Sequence, residues 1–324
     1  MSARSRGPNL HKTTAARRGQ KLIRLPPFRL AHLSDPHLPP PPMRLVELRL
    51  KRLVSGLAWR RKVHHHRPEV LATLMADIAG AGPDHIAVTG DLTNFSTEAE
   101  YDAAANWLTA LGPAADVTVS PGNHDALIGS ADPARFAPWR AWLGDQGDSF
   151  PFVRHRGPVA ILNLCSAIPT PVRLATGRLG ATQIARLEAE LTAARQAGLC
   201  RIVLIHHPVV DGVVADRKAL TDRSALQAML ARTGAELILH GHAHRSTVSS
   251  VAGPDGPIPA LGVPSASMSP GQGEAARWHE IAITPCETGF DIDIAARGIQ
   301  ADGTMNSLGG YQLATRTRGK NRLT

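Results

Sequence analysis

The chain has 324 residues, 43% of them hydrophobic, and a formal net charge of +9 at pH 7. This composition is typical of a globular enzyme and excludes a fibrous or wholly disordered chain. No run of about 18 apolar residues occurs, which argues against a membrane-spanning helix, and three cysteines without C-x-x-C spacing argue against a disulfide framework.

Positive charge is concentrated near the two ends and in one internal segment. Residues 1–30 contain eight bases and no acid, and residues 38–67 contain eight bases and one acid, Glu47. Further bases follow Gly310. The rest of the chain is therefore acidic, and the basic segments are candidates for peripheral contact with an anionic membrane or a nucleic acid.

The domain boundaries that we predict follow this division. We expect a disordered basic tail at 1–27, one folded domain at 28–300 and a basic C-terminal tail at 301–324. The N-terminal bases are followed by no apolar stretch, so we expect no signal peptide. Because the cysteine pattern also indicates a reducing compartment, we expect a cytoplasmic protein that the basic segments can hold at the inner membrane surface.

Short apolar runs flanked by glycine, proline or aspartate predict buried strands. They lie at 28–34, 85–89, 117–120, 159–164, 201–205 and 236–239. Helical patterns alternate with these runs, at 67–80, 97–111, 134–143, 180–197 and 219–232. Short strands follow, at 247–252, 258–263, 278–284 and 289–294. We predict a layered α/β (α+β) fold, in which two mixed β-sheets pack as a sandwich flanked by helices.

A basic insertion at 38–67 interrupts this alternation. Pro39–Pro42 end the first strand, and apolar residues at three- and four-residue spacing predict a helix over Met43–Trp59. The pattern leaves two interpretations open, a helix docked on the body of the domain and a basic lid or membrane-surface helix beside the site. The histidine tract at 64–66 stands among bases, and we expect it on a solvated face.

Polar clusters directly follow five of the predicted strands. In chain order they are Ser34-Asp35-Pro36-His37, Gly90-Asp91, Gly122-Asn123-His124-Asp125, His206-His207 and Gly241-His242-Ala243-His244. Open α/β sheets bind ligands beyond the carboxyl ends of their strands, so we expect the five clusters to meet in one crevice. A single cluster of this kind matches many unrelated proteins, whereas five in this order indicate one composite site.

The five clusters resemble the pattern D-x-H, G-D, G-N-H-[DE], H and G-H-x-H of the calcineurin-like metallophosphoesterase superfamily. The resemblance spans about two thirds of the chain and implies a dinuclear metal site at the carboxyl ends of the strands. It implies that Asp91 bridges the two metals. The other ligands that it implies are Asp35, His37 and His244 for one ion and Asn123, His206 and His242 for the other.

The ligand types suit this chemistry. Two divalent ions about 3.5–4 Å apart repel each other, and a bridging carboxylate offsets the repulsion. Mixed nitrogen and oxygen ligands favour Mn, Fe, Zn or Co over Mg and Ca, and they leave the choice among these four open. The resemblance further implies that His124 protonates the leaving oxygen, with Asp125 holding and charging its ring. A purely structural role for His124 in the metal loop is the alternative.

By resemblance, the chain is a metal-dependent phosphoric ester hydrolase in which a metal-bridging hydroxide attacks a phosphodiester or phosphomonoester. Position 94 is Asn where purple acid phosphatases have a metal-bound tyrosine. His124 stands where the usual lipid A precursor pyrophosphatases have arginine, and the G-D-x-V-D-R-G block of phosphoprotein phosphatases is absent. The sequence is thus most similar to the bacterial phosphodiesterase branch of the superfamily.

A second hypothesis remains open. The basic helix of the 38–67 insertion could recruit the enzyme to membrane-bound or polymeric phosphates, such as a phospholipid, a nucleotide-lipid or a nucleic acid. The sequence leaves the natural substrate and the oligomeric state open. The phosphate-ester substrate is the partner that both hypotheses share.

Overall fold

The structure is a computed structural model that describes residues 26–44, 47, 49–129 and 133–316. The predicted N-terminal tail lies outside the described residues up to position 25, and the predicted C-terminal tail does so from position 317. In the described part, the strands are β1 (Phe28–Leu33), β2 (His85–Val88), β3 (Val117–Val119), β4 (Phe152–Arg156), β5 (Val159–Asn163), β6 (Cys200–Leu204), β7 (Leu237–His240), β8 (Thr247–Val251), β9 (Ile258–Gly262), β10 (Arg277–Cys286), β11 (Gly289–Ile299) and β12 (Met305–Arg316). The α-helices are α1 (Leu50–Lys62), α2 (Pro68–Ala81), α3 (Glu98–Leu111), α4 (Arg140–Leu143), α5 (Ala181–Gln196) and α6 (Arg223–Thr233).

The strands form two mixed sheets. The first has the order β12-β11-β10-β1-β2-β3, and the second has the order β4-β5-β6-β7-β9-β8. β1, β2 and β3 are parallel, with Leu33 opposite Val88 and Val88 opposite Val119, so these three strands end side by side. β6 and β7 are also parallel, with Leu204 opposite Leu239. The polar clusters that follow these strands therefore start from neighbouring positions.

The core consists of three apolar layers. Both faces of the central strands are buried, which explains why β5 and β6 show no alternation of apolar and polar residues, with Asn163 and Arg201 as their buried polar members. The layer between the sheets contains Leu30, Ile161, Ile202, Leu239 and Ile281. The outer layers lie under α2 and α3 on one side and under α5 and α6 on the other. The predicted sandwich of two mixed sheets flanked by helices is confirmed.

Several predicted boundaries are wrong. The insertion helix begins at Leu50, seven residues later than predicted. The helix expected at 134–143 is a 3-10 turn followed by the short α4, because Pro138 cannot donate an α-helical hydrogen bond. The expected tail at 301–324 contributes β12, which pairs with β11 along most of its length. Its sequence is interrupted by Gly309-Gly310 and half of it is exposed, so its strand character depends on β11.

A buried ion pair fastens β6 to β7, the strands that lead to His206 and His242. Arg201 Nη2 lies 2.6 Å from Glu236 Oε1, and Arg201 Nε donates to Glu236 Oε2 at 2.9 Å. Glu236 Oε2 also accepts a hydrogen bond from the Arg201 amide at 2.6 Å. Both side chains are almost fully buried, so neither charge can return to water if its partner is lost.

We expect the substitution Glu236→Ala to lower the free energy of unfolding by about 3–5 kcal/mol, because it leaves the Arg201 guanidinium buried without its counter-charge. Urea unfolding followed by circular dichroism measures this loss. The control is Glu188→Ala, which removes an exposed partner of Arg232 at 3.1 Å and should cost about 0–1 kcal/mol. Equal losses in the two variants would contradict the prediction.

Candidate metal centre

All seven predicted ligands lie in one crevice at the carboxyl ends of the strands. Five of them have positive φ angles between 43° and 66°, and these are Asp35, His37, Asp91, His242 and His244. Residues other than glycine rarely adopt this left-handed conformation, which costs about 1–3 kcal/mol at each position. The chain turns sharply at each ligand, and these turns direct the side chains into the crevice.

Two motif glycines allow the ligand loops to approach one another. A Cβ atom at Gly122 would collide with the carboxylate and the amide of Asp91. A Cβ atom at Gly241 would collide with the side chains of Ser34 and Asp35. Glycine at these two positions is therefore a condition for bringing the ends of β2 and β3, and those of β1 and β7, into contact.

The first group of ligands comprises Asp35, His37, Asp91 and His244. Their candidate ligand atoms all lie within 4.8 Å of one another. His244 Nε2 lies 3.1 Å from Asp35 Oδ1 and 3.3 Å from His37 Nε2. Asp91 Oδ2 lies 4.0 Å from His37 Nε2. These four atoms surround a common point, as the ligands of one ion do.

The second group comprises Asp91, His206 and His242, again with ligand atoms within 4.8 Å. His206 Nε2 lies 3.3 Å from Asp91 Oδ2, 3.2 Å from Asn123 Oδ1 and 3.2 Å from His242 Nδ1. Asn123 thus joins this group through its amide oxygen. Asp91 belongs to both groups, which is the arrangement required of a bridging carboxylate.

Hydrogen bonds on the far side of three imidazoles assign their tautomers. His37 Nδ1 donates to Asn94 Oδ1 at 3.1 Å, and His206 Nδ1 donates to the Thr89 carbonyl at 2.7 Å. His242 Nε2 donates to the Lys218 carbonyl at 2.9 Å. In each ring the other nitrogen faces the crevice and is the one that can offer a lone pair to a metal, as is usual for histidines that bind metals.

This donor set fits divalent cations. His206 Nε2 and His242 Nδ1 lie 3.2 Å apart with lone pairs directed at the same region, and such a contact is repulsive unless a cation or a proton lies between them. Asp35 Oδ1 is buried and accepts no hydrogen bond of acceptable geometry from the described residues. Burial also lowers the pKa of His37 and His242 well below the usual value, which keeps both imidazoles neutral. The residues can therefore hold two metal ions.

The carboxylates are ionised despite their burial. Burial opposes ionisation of Asp91, yet the neighbouring His206 and His124 hold its pKa well below the usual value. Burial by itself lowers the pKa of His206, but the carboxylates of Asp91 and Asp35 raise it to about 9. Without metal, His206 therefore carries a proton that offsets part of the negative charge of the site.

Asp125 does not contact the His124 ring as the sequence led us to expect. Its carboxylate accepts hydrogen bonds from the amides of Asp91, Thr93 and Gly122 at 2.8–2.9 Å, and so holds two ligand loops together. Burial, followed by the charge of Asp91, raises the pKa of Asp125 to about 7. His124 Nδ1 instead donates to the Asn94 carbonyl at 2.9 Å. This bond orients the half-buried ring with Nε2 free for the crevice.

A cavity of about 440 Å³ opens beside the first group of ligands. Its walls include the predicted site residues His37, His124 and His244. The insertion contributes Trp59 and His66, and the remaining lining residues are Ser55, Ala58, His65, Asn94, Phe95, Met268 and Gln272. The prediction that the tract 64–66 is solvated is wrong for His66, which is buried. Its neighbours in sequence are basic, and only the tertiary contacts show that its ring turns inward.

Comparison with family models matches residues 28–246 to the family described as calcineurin-like phosphoesterase. The chain belongs to this family. It is a metal-dependent phosphoester hydrolase, as the five clusters indicated. A "Probable cyclic nucleotide phosphodiesterase" of Rhodococcus erythropolis (strain PR4 / NBRC 100887) is 29% identical over 233 residues, which cover 69% of this chain and 67% of that protein.

Two solved structures share the fold. A dimetal phosphatase from Danio rerio has a TM-score of 0.51 at 14% identity, with 87% of this chain and 99% of that chain covered. A purple acid phosphatase from yellow lupin (Lupinus luteus) seeds has a TM-score of 0.52 at 13% identity, with 90% and 54% covered. At these identities the comparison concerns the fold of the chain and not its substrate.

We expect metal binding by the second group to depend on pH, because the ion must displace the proton of His206. Below its pKa of about 9, protonated His206 predominates and competes with the ion. The apparent dissociation constant for Mn²⁺ should therefore rise about tenfold for each unit by which the pH falls below that value. The binding constant of the first group is the comparison, because burial lowers the pKa of His37 and leaves little proton on that ring for the ion to displace. Titrations of the metal-stripped chain at several pH values, followed by electron paramagnetic resonance, measure both constants. Two pH-independent constants would contradict the prediction.

Proposed function

We propose that the chain hydrolyses a phosphodiester, with two divalent ions of Mn, Fe, Zn or Co bound by the seven ligands. The observation that carries this proposal is the position of Asp91, which is shared by both ligand groups beside His124 and an open cavity. When bound, two such ions lower the pKa of water and polarise the phosphoryl oxygens. The protein then has to position the ester and supply a proton to its leaving oxygen.

His124 is suited to supply that proton. Its Nδ1 is occupied by the Asn94 carbonyl, so its Nε2 is the nitrogen available to the substrate. The main-chain amide of His124 donates to Asp91 Oδ1 at 2.7 Å, which fixes the loop to the bridging carboxylate. The ring lies in the cavity wall, 5.1 Å from the ring of His37 between centroids. A phosphate ester bound at the metal centre would therefore have its leaving oxygen near Nε2 of His124.

The size and lining of the cavity suit a phosphate ester that carries a sizeable organic group. A volume of about 440 Å³ is in the range of small-molecule sites. Trp59 and Phe95 meet edge to face in its wall, with ring centroids 6.4 Å apart, and they offer apolar surface to a planar group. The relative from Rhodococcus erythropolis is described as a cyclic nucleotide phosphodiesterase, which makes a nucleotide a reasonable first substrate class to test.

We expect His124→Ala to slow hydrolysis of a cyclic nucleotide, whose leaving alkoxide needs a proton, by about 10²–10⁴-fold. Hydrolysis of a nitrophenyl phosphodiester should lose much less, because nitrophenolate leaves without protonation. Metal content should stay at two ions per chain. The control is His155→Ala, which changes an exposed histidine on β4. Equal losses on both substrates, or an active enzyme with one ion per chain, would contradict the proposal.

A second candidate function, hydrolysis of phosphate esters at an anionic membrane surface, is favoured by the exposed face of α1. The face of α1 that meets the body contains Arg52, which donates to the carbonyls of Phe95 and Ser96 at 2.9 and 2.7 Å. The apolar side chains point outward, with Leu50 71% exposed and Leu57 61% exposed. A helix that exposes leucine and buries arginine is the reverse of an ordinary surface helix.

Charge identifies the surface that this face would meet. Arg49, Arg60 and Arg61 are exposed on or beside α1 and flank the exposed leucines. Basic and apolar side chains on one exposed helix are typical of helices that lie in the interface of an anionic bilayer, whereas nucleic-acid contacts rely on basic and polar groups. No helix in the described part of the chain is long and apolar enough to span a membrane. We therefore propose a peripheral association of a cytoplasmic enzyme, with α1 beside the cavity mouth.

We expect the chain to sediment with vesicles that contain phosphatidylglycerol and not with vesicles of phosphatidylcholine alone. The double substitution Leu50→Ser and Leu57→Ser should weaken binding by at least about tenfold, since burying one leucine contributes roughly 1.5–3 kcal/mol. The matched control is Val248→Ser on β8, an edge strand of the second sheet, where the valine is 70% exposed. Unchanged binding of the double variant, or binding to DNA without binding to vesicles, would exclude the membrane candidate.

A further inference from the structure

His66 lies beside the first group of metal ligands, although it comes from the insertion and not from a family motif. Its side chain is buried, and its ring centroid lies 4.6 Å from that of His37 and 5.6 Å from that of His244. One ring nitrogen from each of these three histidines falls within 4.8 Å of the others. The three imidazoles therefore surround the side of the metal centre that opens into the cavity.

Two serine hydroxyls assign the tautomer of His66. Ser265 Oγ donates its only proton to the Asp35 carbonyl at 2.6 Å. The same oxygen lies 3.2 Å from His66 Nδ1, and in that contact it can only be the acceptor. Ser267 Oγ lies 3.0 Å from the same nitrogen. A lone pair on Nδ1 would face the lone pairs of Ser265, so this hydrogen-bond network places the proton on Nδ1. Nε2 then has a lone pair and makes no hydrogen bond to any described residue.

The ring is held firmly in this orientation. The indole of Trp59 stacks on it, with ring centroids 5.5 Å apart and an interplanar angle of 14°. The backbone at His66 forms a bridge with Met268, and the Arg67 amide donates to the Ser267 carbonyl at 2.9 Å. The same segment also binds the loop of Asp35, because the Ala266 amide donates to the Ser34 carbonyl at 2.8 Å. One stretch of backbone thus positions both His66 and a predicted metal ligand.

We propose that His66 is a further ligand of the metal ion held by Asp35, His37, Asp91 and His244, binding through Nε2. A histidine whose far nitrogen donates to a fixed oxygen and whose near nitrogen has a lone pair is the usual state of a metal-binding imidazole. The ion would then have three nitrogen and two oxygen ligands from the protein. The inference concerns metal binding and does not depend on which phosphate ester the enzyme cleaves.

This ligand makes the insertion part of the metal centre. The other ion has two imidazoles, one amide oxygen and the shared Asp91, so the two sites differ in composition. Three imidazoles favour a borderline metal such as Zn or Fe over Mg at the first site. Because α1 ends four residues before His66 and its Trp59 stacks on the His66 ring, a displacement of α1 would alter the coordination of that ion.

The test compares metal binding by the metal-stripped chain and three variants. Mn²⁺ affinity is measured by titration, and the visible absorption bands of the Co²⁺-loaded chain report coordination. We expect His66→Ala to weaken one of the two binding events by about 100-fold or more, leave the other unchanged and alter the Co²⁺ bands. Ser267→Ala, which keeps the ring, should weaken the same event by about tenfold. The control is His64→Ala in the same tract, where the exposed histidine should have no effect.

Two further measurements distinguish a loss of metal binding from a loss of folding or of catalysis. Circular dichroism shows whether His66→Ala is folded, and His66→Gln, which keeps most of the side-chain volume, replaces it if it is not. Unchanged Mn²⁺ affinities and unchanged Co²⁺ bands in a folded His66 variant would overturn the proposal. Slower turnover with both metal sites intact would overturn it as well, and would place His66 against the substrate. Failure of every phosphodiester as a substrate would leave these metal measurements unaffected.

Discussion

The carboxylate of Asp91 is buried where the two halves of the metal centre meet, and the surrounding residues have to offset its charge. Asp35 lies in the same crevice, so two carboxylates share a volume from which water is largely excluded. Such burial is costly unless positive charge is placed nearby. The imidazoles of His37 and His242 are neutral, so the positive charge comes from bound metal ions or, in their absence, from the proton on His206. The carboxylate of Asp125 is directed at the main-chain amides of Asp91 and Gly122, so it does not add a third negative charge to the metal ligands.

The two sheets bring the loops that carry the metal ligands close together. Parallel strands β1, β2 and β3 end side by side in the first sheet, and β6 and β7 end side by side in the second. The loops beyond them then meet closely enough that glycine is needed where backbones approach, at Gly122 and Gly241. Left-handed backbone at five ligands adds local strain. The apolar layers on both sides of each sheet stabilise the strands against that strain, so the rigidity of the core keeps the ligands in place.

The insertion at 38–67 connects this buried centre to the protein surface. Its helix α1 is attached to the body by hydrogen bonds from Arg52 and Lys51, whereas its leucines remain exposed. Trp59, near the end of the helix, and His66, beyond it, line the cavity beside the metal ligands. One short segment thus has an outward apolar face and an inward imidazole, and any surface that α1 contacts lies close to the site of hydrolysis. Both interpretations of the sequence therefore apply in part, because the helix is docked on the body and also presents an exposed apolar face beside the site.

The sequence by itself determined the family, the sandwich of two mixed sheets and the seven candidate ligands, because each ligand directly follows a strand whose apolar pattern is readable locally. The edge strand β12 was missed, since its Gly-rich sequence becomes a strand only by pairing with β11. The orientation of α1 was also beyond the sequence, because an amphipathic pattern predicts which residues share a face and not which face meets the body. The same holds for His66 and Asp125. Whether the His66 imidazole is solvated depends on Ser267, which is 201 residues away in the chain, and the orientation of the Asp125 carboxylate depends in part on Thr93, which is 32 residues away. Only the folded structure brings these partners together.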